Sequence, residues 1–141
     1  MIPVAEKASD VRQHFSEFID DVVRERRLGF FSRNRDVVAA LSVPQLRTLV
    51  DHVTFHADIE PDEYGGFVGT LREIDDLVAD GPTADDVVDA LTDDLIDYAQ
   101  EYLGNSFTLY FRAPNRSGHF AYVLRVGLQE SREDVRRLIH A

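Results

Sequence analysis

From Thr83 onward one apolar stripe governs what this chain can become. Ala84, Val87, Val88, Leu91, Leu95, Tyr98, Ala99 and Tyr102 recur at helical spacing, which gathers them on a single face. Asp85, Asp86, Asp89, Asp93 and Asp97 fall mostly elsewhere on the same turns. Asp80-Gly81-Pro82 breaks the chain just before, and the Thr83 side chain is suited to cap the helix. A helix so one-sided must cover its stripe with another layer, and the preceding residues read as strands. Val53, Phe55, Ala57 and Ile59 alternate with polar residues, although Val53 also completes an earlier helical stripe. Pro61 to Gly66 supplies a turn, Phe67 to Leu71 a second strand, and Asp76 to Ala79 a third.

The first fifty residues have a different rhythm. Ile2 to Val4 reads as a short strand. Ser9 is the expected cap of a helix reaching to about Arg27, with Val11, Phe15, Phe18, Ile19, Val22 and Val23 on one face. Leu28 to Ser32 and Val37 to Leu41 are β-prone runs joined by Arg33-Asn34-Arg35-Asp36, a hairpin pattern. Ser42-Val43-Pro44-Gln45 has the form of a capping box and opens a helix carrying Leu46, Leu49, Val50 and Val53. Strand, helix, hairpin and helix in so few residues make a small core, so this part gains from a partner. Dimerisation through the hairpin sheet or the helices is expected.

Beyond Tyr102 the pattern weakens. Phe107, Leu109 and Phe111 alternate like a strand, although an extension of the long helix fits too. Ala113 to Gly118 reads as a loop, Phe120, Val123, Leu124 and Leu128 as a helix, and Ser131 as the cap of a last helix through Val135, Leu138 and Ile139.

Composition restricts the class. Hydrophobic residues make up 44% of the 141, too many for a disordered acidic tail. No run approaches a membrane span, Met1 opens no signal pattern, and the lack of cysteine leaves no disulfide or thiolate site, which fits a cytoplasmic protein. The net charge of −11 is unevenly spread. Through His56 there are eight basic and eight acidic residues, whereas Asp58 to Glu101 holds fifteen acids and one base, Arg72. Tyr102 to Ala141 carries six arginines against three acids. Such asymmetry suggests modules with different partners, or simply acids that keep the middle solvated.

Two stretches carry a family resemblance. "ASDVRQHFSEFIDDVV" and "GFFSRNRDVVAALSVPQLRTL" make residues 3–51 similar to the N-terminal domain of Phd/YefM antitoxins, a strand, helix, hairpin and short helix. "FHADIEPDEYGGFVGTLREIDDLVADGPTADDVVDAL" makes residues 53–103 resemble a HicB-like antitoxin domain, with aspartates where that family has glutamates. The fold expected is therefore α+β: a β-α-β-β-α domain over 1–52, then over 53–141 a HicB-like β-β-β-α domain with a helical C-terminal extension. The resemblance implies an antitoxin of a type II toxin–antitoxin system. It would dimerise, or form a higher oligomer, repress its operon by binding operator DNA, and neutralise a cognate, RNA-targeting toxin directly.

By that resemblance Arg12 and Arg33 stand where these families place DNA-contacting arginines. Gln13 and Asn34 offer planar donors, and Lys7 and Arg35 are auxiliary phosphate partners. A basic hairpin tip is also an ordinary solvated turn, with Arg12 free to pair with Glu6 and Arg35 with Asp36. Asp85, Asp86, Asp89, Asp93 and Asp97 are the candidate toxin contacts, offering carboxylates to a cationic surface; a solvated helix face is the alternative. A regulator whose acidic half binds a ligand or another protein is the first rival. A metal nuclease built on Asp62, Glu63, Asp75 and Asp76 is the second. Neither a catalytic motif nor a cofactor motif appears; Gly65-Gly66 reads as a turn without basic partners, and His14 as helix packing.

Overall fold

A computed structural model of the chain describes residue 2 and residues 5–141. The chain divides into two compact units, Met1–Leu49 and Val50–Ala141, and the architecture is α+β.

In the first unit β1 (Glu6–Lys7) leads directly into α1 (Ala8–Gln13), followed by α2 (Phe15–Val23), β2 (Gly29–Arg33), β3 (Asp36–Ala40) and α3 (Val43–Val50), at whose last residue the unit boundary falls. Several expectations shift here. The strand expected at Ile2–Val4 falls mainly on Pro3 and Val4, outside the described residues, and Ile2 has no regular structure; the strand present is β1. Lys7, not Ser9, occupies the N-cap position. The single helix expected from there to Arg27 is broken at His14, whose φ of −128° and ψ of 46° leave the helical region. That break divides the stripe: Val11, Phe18 and Val22 are buried, whereas Phe15 and Val23 are exposed.

The sheet has the order β1-β2-β3, parallel and then antiparallel. Asn34 takes a φ of 57°, a turn geometry that asparagine tolerates, and with Arg35 closes a two-residue hairpin. One sheet face packs on α2: Phe31 meets Phe18 edge to face at 5.9 Å, and Ala40 joins the same cluster. Gly29 lies so close to α2 that a Cβ would sit 2.5 Å from the Phe18 ring. Ser42 and Gln45 form the reciprocal bonds of a capping box, the Ser42 amide donating to Gln45 Oε1 at 2.9 Å and the Gln45 amide to Ser42 Oγ at 3.2 Å.

The second unit holds β4 (Phe55–Pro61), β5 (Phe67–Leu71), β6 (Val78–Gly81), α4 (Ala84–Leu103), α5 (Phe107–Arg112), α6 (Phe120–Gly127), α7 (Arg132–Arg137) and β7 (Ile139–His140). The sheet order is β6-β5-β4-β7, antiparallel except for the parallel β4–β7 pair. The first and third strands lie two residues later than the alternation suggested, because Val53 and Asp76 belong to the connections. β7 matches no strand expected from the sequence.

The stripe of α4 lies against this sheet. Val87, Val88, Leu91 and Leu95 are buried with Phe55, Ala57, Leu71 and Ile74; Ala84, expected in the stripe, is exposed. Gly69 permits the close packing, since a Cβ there would come 2.6 Å from a Val87 methyl. Toward its C-terminus α4 turns to α6 and α7, burying Tyr98, Ala99 and Tyr102 with Val123, Val126, Val135 and Leu138. Phe107 to Phe111 forms neither a strand nor a continuation of α4. Gly104 ends α4, and α5 folds back so that Phe107 and Tyr110 meet Tyr102 at 6.1 and 5.6 Å.

Candidate functional site

The parallel pairing of β1 with β2 sets Lys7 beside Ser32, and so brings Lys7 to the strand end that carries Arg33. Because α1 starts at the next residue, its first turns raise Ser9 and Arg12 over the same spot. Lys7, Ala8, Ser9, Arg12, Ser32, Arg33 and Asn34 line one shallow concavity of about 710 Å³. Of the six candidate DNA-binding residues, four meet there. Gln13, at the end of α1, and Arg35, on the hairpin turn, are exposed but do not line it.

Glu6, the acid next to Lys7 in the chain, is engaged elsewhere. Glu6 binds Arg27 at 3.3 Å and lies 3.5 Å from His14, which is half-buried. The Glu6 and Asp21 carboxylates raise the Arg27 pKa, against a smaller loss from burial. Among the described residues, Lys7, Arg12, Arg33 and Arg35 form no ion pair, so neither Arg12–Glu6 nor Arg35–Asp36 pairing occurs. Cations, the Asn34 amide and two serine hydroxyls converging without a carboxylate suit an oxyanion such as phosphate. Ser9 and Ser32 were not legible as part of this surface, since only the β1–β2 pairing gathers them.

The five candidate aspartates of α4 are mostly occupied by the chain itself. Arg132 grips Asp93 with two bonds of 2.7 and 3.2 Å and also donates to the Asp89 carbonyl. Arg136 binds Asp89 at 2.7 Å and approaches Asp85 at 3.7 Å. Hydrogen bonding from Arg132 holds the Asp93 carboxyl below the usual range. Asp86 completes the capping box of α4, accepting from the Thr83 amide and hydroxyl. Asp97 alone of the five is exposed with neither an ion pair nor a side-chain hydrogen bond among the described residues. Beside it Asp94 has a raised pKa, from burial first and then from Asp97 and Asp93. The sequence did not reveal this neutralisation because Arg132 and Arg136 lie some forty residues away.

The four acids considered for a metal do not form a centre. Asp62 bonds the Tyr64 amide in its own turn and Asp76 meets Arg116 at 3.7 Å. Among the described residues no group of three or more His, Asp or Glu side chains is placed to hold an ion, and no helix is long and apolar enough to cross a membrane.

Known proteins share this architecture. A sequence profile of a PHD-like family, described as "Antitoxin of toxin-antitoxin, RelE / RelB, TA system", matches residues 2–141. A solved structure from Syntrophomonas wolfei subsp. wolfei, assigned to the antitoxin part of a toxin–antitoxin system, is 36% identical. That likeness covers 98% of this chain and 97% of the other, at a TM-score of 0.88. No curated protein matches. Both likenesses run through the two units without a break, and neither sets residues 53–103 apart as a HicB-like domain. Over its whole described length, the chain belongs to the PHD-like antitoxins, proteins that act in toxin–antitoxin systems without catalysis of their own.

Proposed function

We propose that this antitoxin binds operator DNA through its first unit, represses its own operon, and neutralises an RNA-targeting toxin by direct contact with its second unit in the cytoplasm. One observation carries the DNA reading: Lys7, Arg12, Arg33 and Asn34 surround one concavity from which carboxylates are absent. Cations so placed fix a protein on phosphates, and the projecting Arg33-Asn34-Arg35 tip supplies the planar donors that read base edges. The acidic second unit disfavours indiscriminate DNA binding, so affinity rests on this local surface and on its repetition in a symmetric dimer. The HicB-like reading of residues 53–103 rests on sequence resemblance and assigns toxin contact to that unit.

Arg33→Ala combined with Arg35→Ala tests the reading. Operator affinity should fall, and the slope of log affinity against log salt should flatten by roughly 0.9 for each phosphate no longer neutralised. Toxin binding should stay as it was. An unchanged operator affinity and salt slope would return the tip to the class of solvated turns.

A further inference from the structure

The cationic concavity of the first unit holds two hydroxyls that the fold itself hardly uses. Ser9 stands where a helix cap is expected, yet Lys7 takes the N-cap position and no side-chain bond caps α1. The Ser9 hydroxyl has no hydrogen-bond partner among the described residues. Ser32 donates to the Glu6 carbonyl at 3.5 Å, well beyond the usual reach of an O–H donor. Both serines nevertheless line the space that Lys7, Arg12 and Arg33 surround.

Two periodicities produce this arrangement. Cross-strand register sets Lys7 opposite Ser32, with both side chains on the same face of the sheet. Helical spacing sets Ser9 and Arg12 three residues apart on one side of α1. Each of these cations therefore has a neutral donor beside it. Ala8 lines the same space and is half-buried like Ser32, and its single methyl leaves the floor open. A phosphodiester spreads one negative charge over two free oxygens, which suits cations and hydroxyl donors together. A hydroxyl that rotates donates to one base as readily as to another, so it carries little sequence information. Planar donors, which do carry it, stand on the hairpin tip.

We propose that Lys7, Ser9, Arg12 and Ser32 form a seat for one backbone phosphodiester over the Ala8 methyl, with the two hydroxyls as its sequence-independent grip and the hairpin tip as the part that selects sequence. This rests on the reading of the first unit as an operator binder. One surface is thereby divided into a part that holds a duplex and a part that chooses among duplexes.

The test measures binding of the full-length protein to two duplexes of equal length across a range of salt. One carries the DNA preceding its own reading frame, the other a scrambled sequence. Ser9→Ala with Ser32→Ala should lower affinity for both by the same factor, at least about tenfold, with the salt slope unchanged because no charge is lost. Ser9→Ala alone removes no cap, so it keeps the test open should the double variant unfold. Lys7→Gln should weaken both duplexes and flatten the slope by roughly 0.9. Ala8→Leu removes neither charge nor donor, and should weaken both equally by filling the floor. Asn34→Gly, which keeps the turn geometry, should reduce preference for the operator over the scrambled duplex. Neutral methylphosphonate linkages scanned along the operator should reveal a position that weakens the wild type and not the double-serine variant. Serine variants that bind as the wild type does, or that lose operator affinity alone, overturn the seat while operator binding stands. A wild-type protein that binds neither duplex overturns both.

Discussion

Single residues in this protein take their meaning from neighbours distant in sequence. His119 places its Nδ1 2.7 Å from the Tyr98 hydroxyl. Burial lowers its pKa, opposed by Asp76 and Asp75 and assisted by Arg116, whose guanidinium stands over the Tyr98 and Tyr110 rings. Burial likewise raises the Tyr98 and Tyr102 hydroxyls, so both remain protonated, and that of Tyr102 donates to the Arg116 carbonyl. A histidine held below its ordinary value favours the fold fully above about pH 6.5, and loses that contribution as pH falls toward its folded pKa. Ring-resolved NMR titration should find His119 protonating below the ordinary range. His119→Gln should flatten the drop in melting temperature between about pH 7 and about pH 5; a mutant curve parallel to that of the wild type would assign the drop to other groups.

Elements with complete local signals form where those signals put them. α4 opens at Thr83 because two reciprocal bonds satisfy its first free amides and aspartates stand in its first turn. Thr83→Ala should cost about 1 kcal/mol in urea unfolding, and Thr83→Ser should restore most of it; an unchanged midpoint for Thr83→Ala would mean that the cap contributes little. α7 begins at Ser131 in the same way, with the Asp134 amide donating to the serine oxygen. α5 lacks such signals. Its aromatic alternation satisfies both a strand and a helix, and the packing of Phe107 and Tyr110 on Tyr102 decides between them.

At the scale of the whole molecule, the first unit is short of partners. Gly29, Phe31 and Ala40 face α2, so alternation turns Phe30, Ser32, Val37 and Ala39 to the opposite face of the sheet. Val37 is 51% exposed there, on the strand that forms the sheet edge. Such a surface is expected to be covered by a second copy, which also doubles the cationic concavity for a palindromic operator. Val37→Glu, on the face away from α2, should shift sedimentation toward monomer and make unfolding independent of concentration over the micromolar range. A Val37→Glu protein that stays dimeric would move the interface to the helices.

The sequence by itself determined the parts whose causes are local: the α4 stripe and its cap, the Ser42–Gln45 box, the Arg33–Asp36 hairpin, the β5 strand, and the charge difference between the two halves. It also named most of the residues of the cationic surface. Only the tertiary structure decided that Lys7 and Ser32 stand side by side, that helix one breaks at His14, that Ile139 and His140 extend the sheet, and that Arg132 and Arg136 pair with Asp93 and Asp89 of α4. The physical reason is range. Caps, turns and periodicity act within a few residues, whereas strand neighbours and ion pairs join segments whose spacing in the chain carries no trace of their meeting.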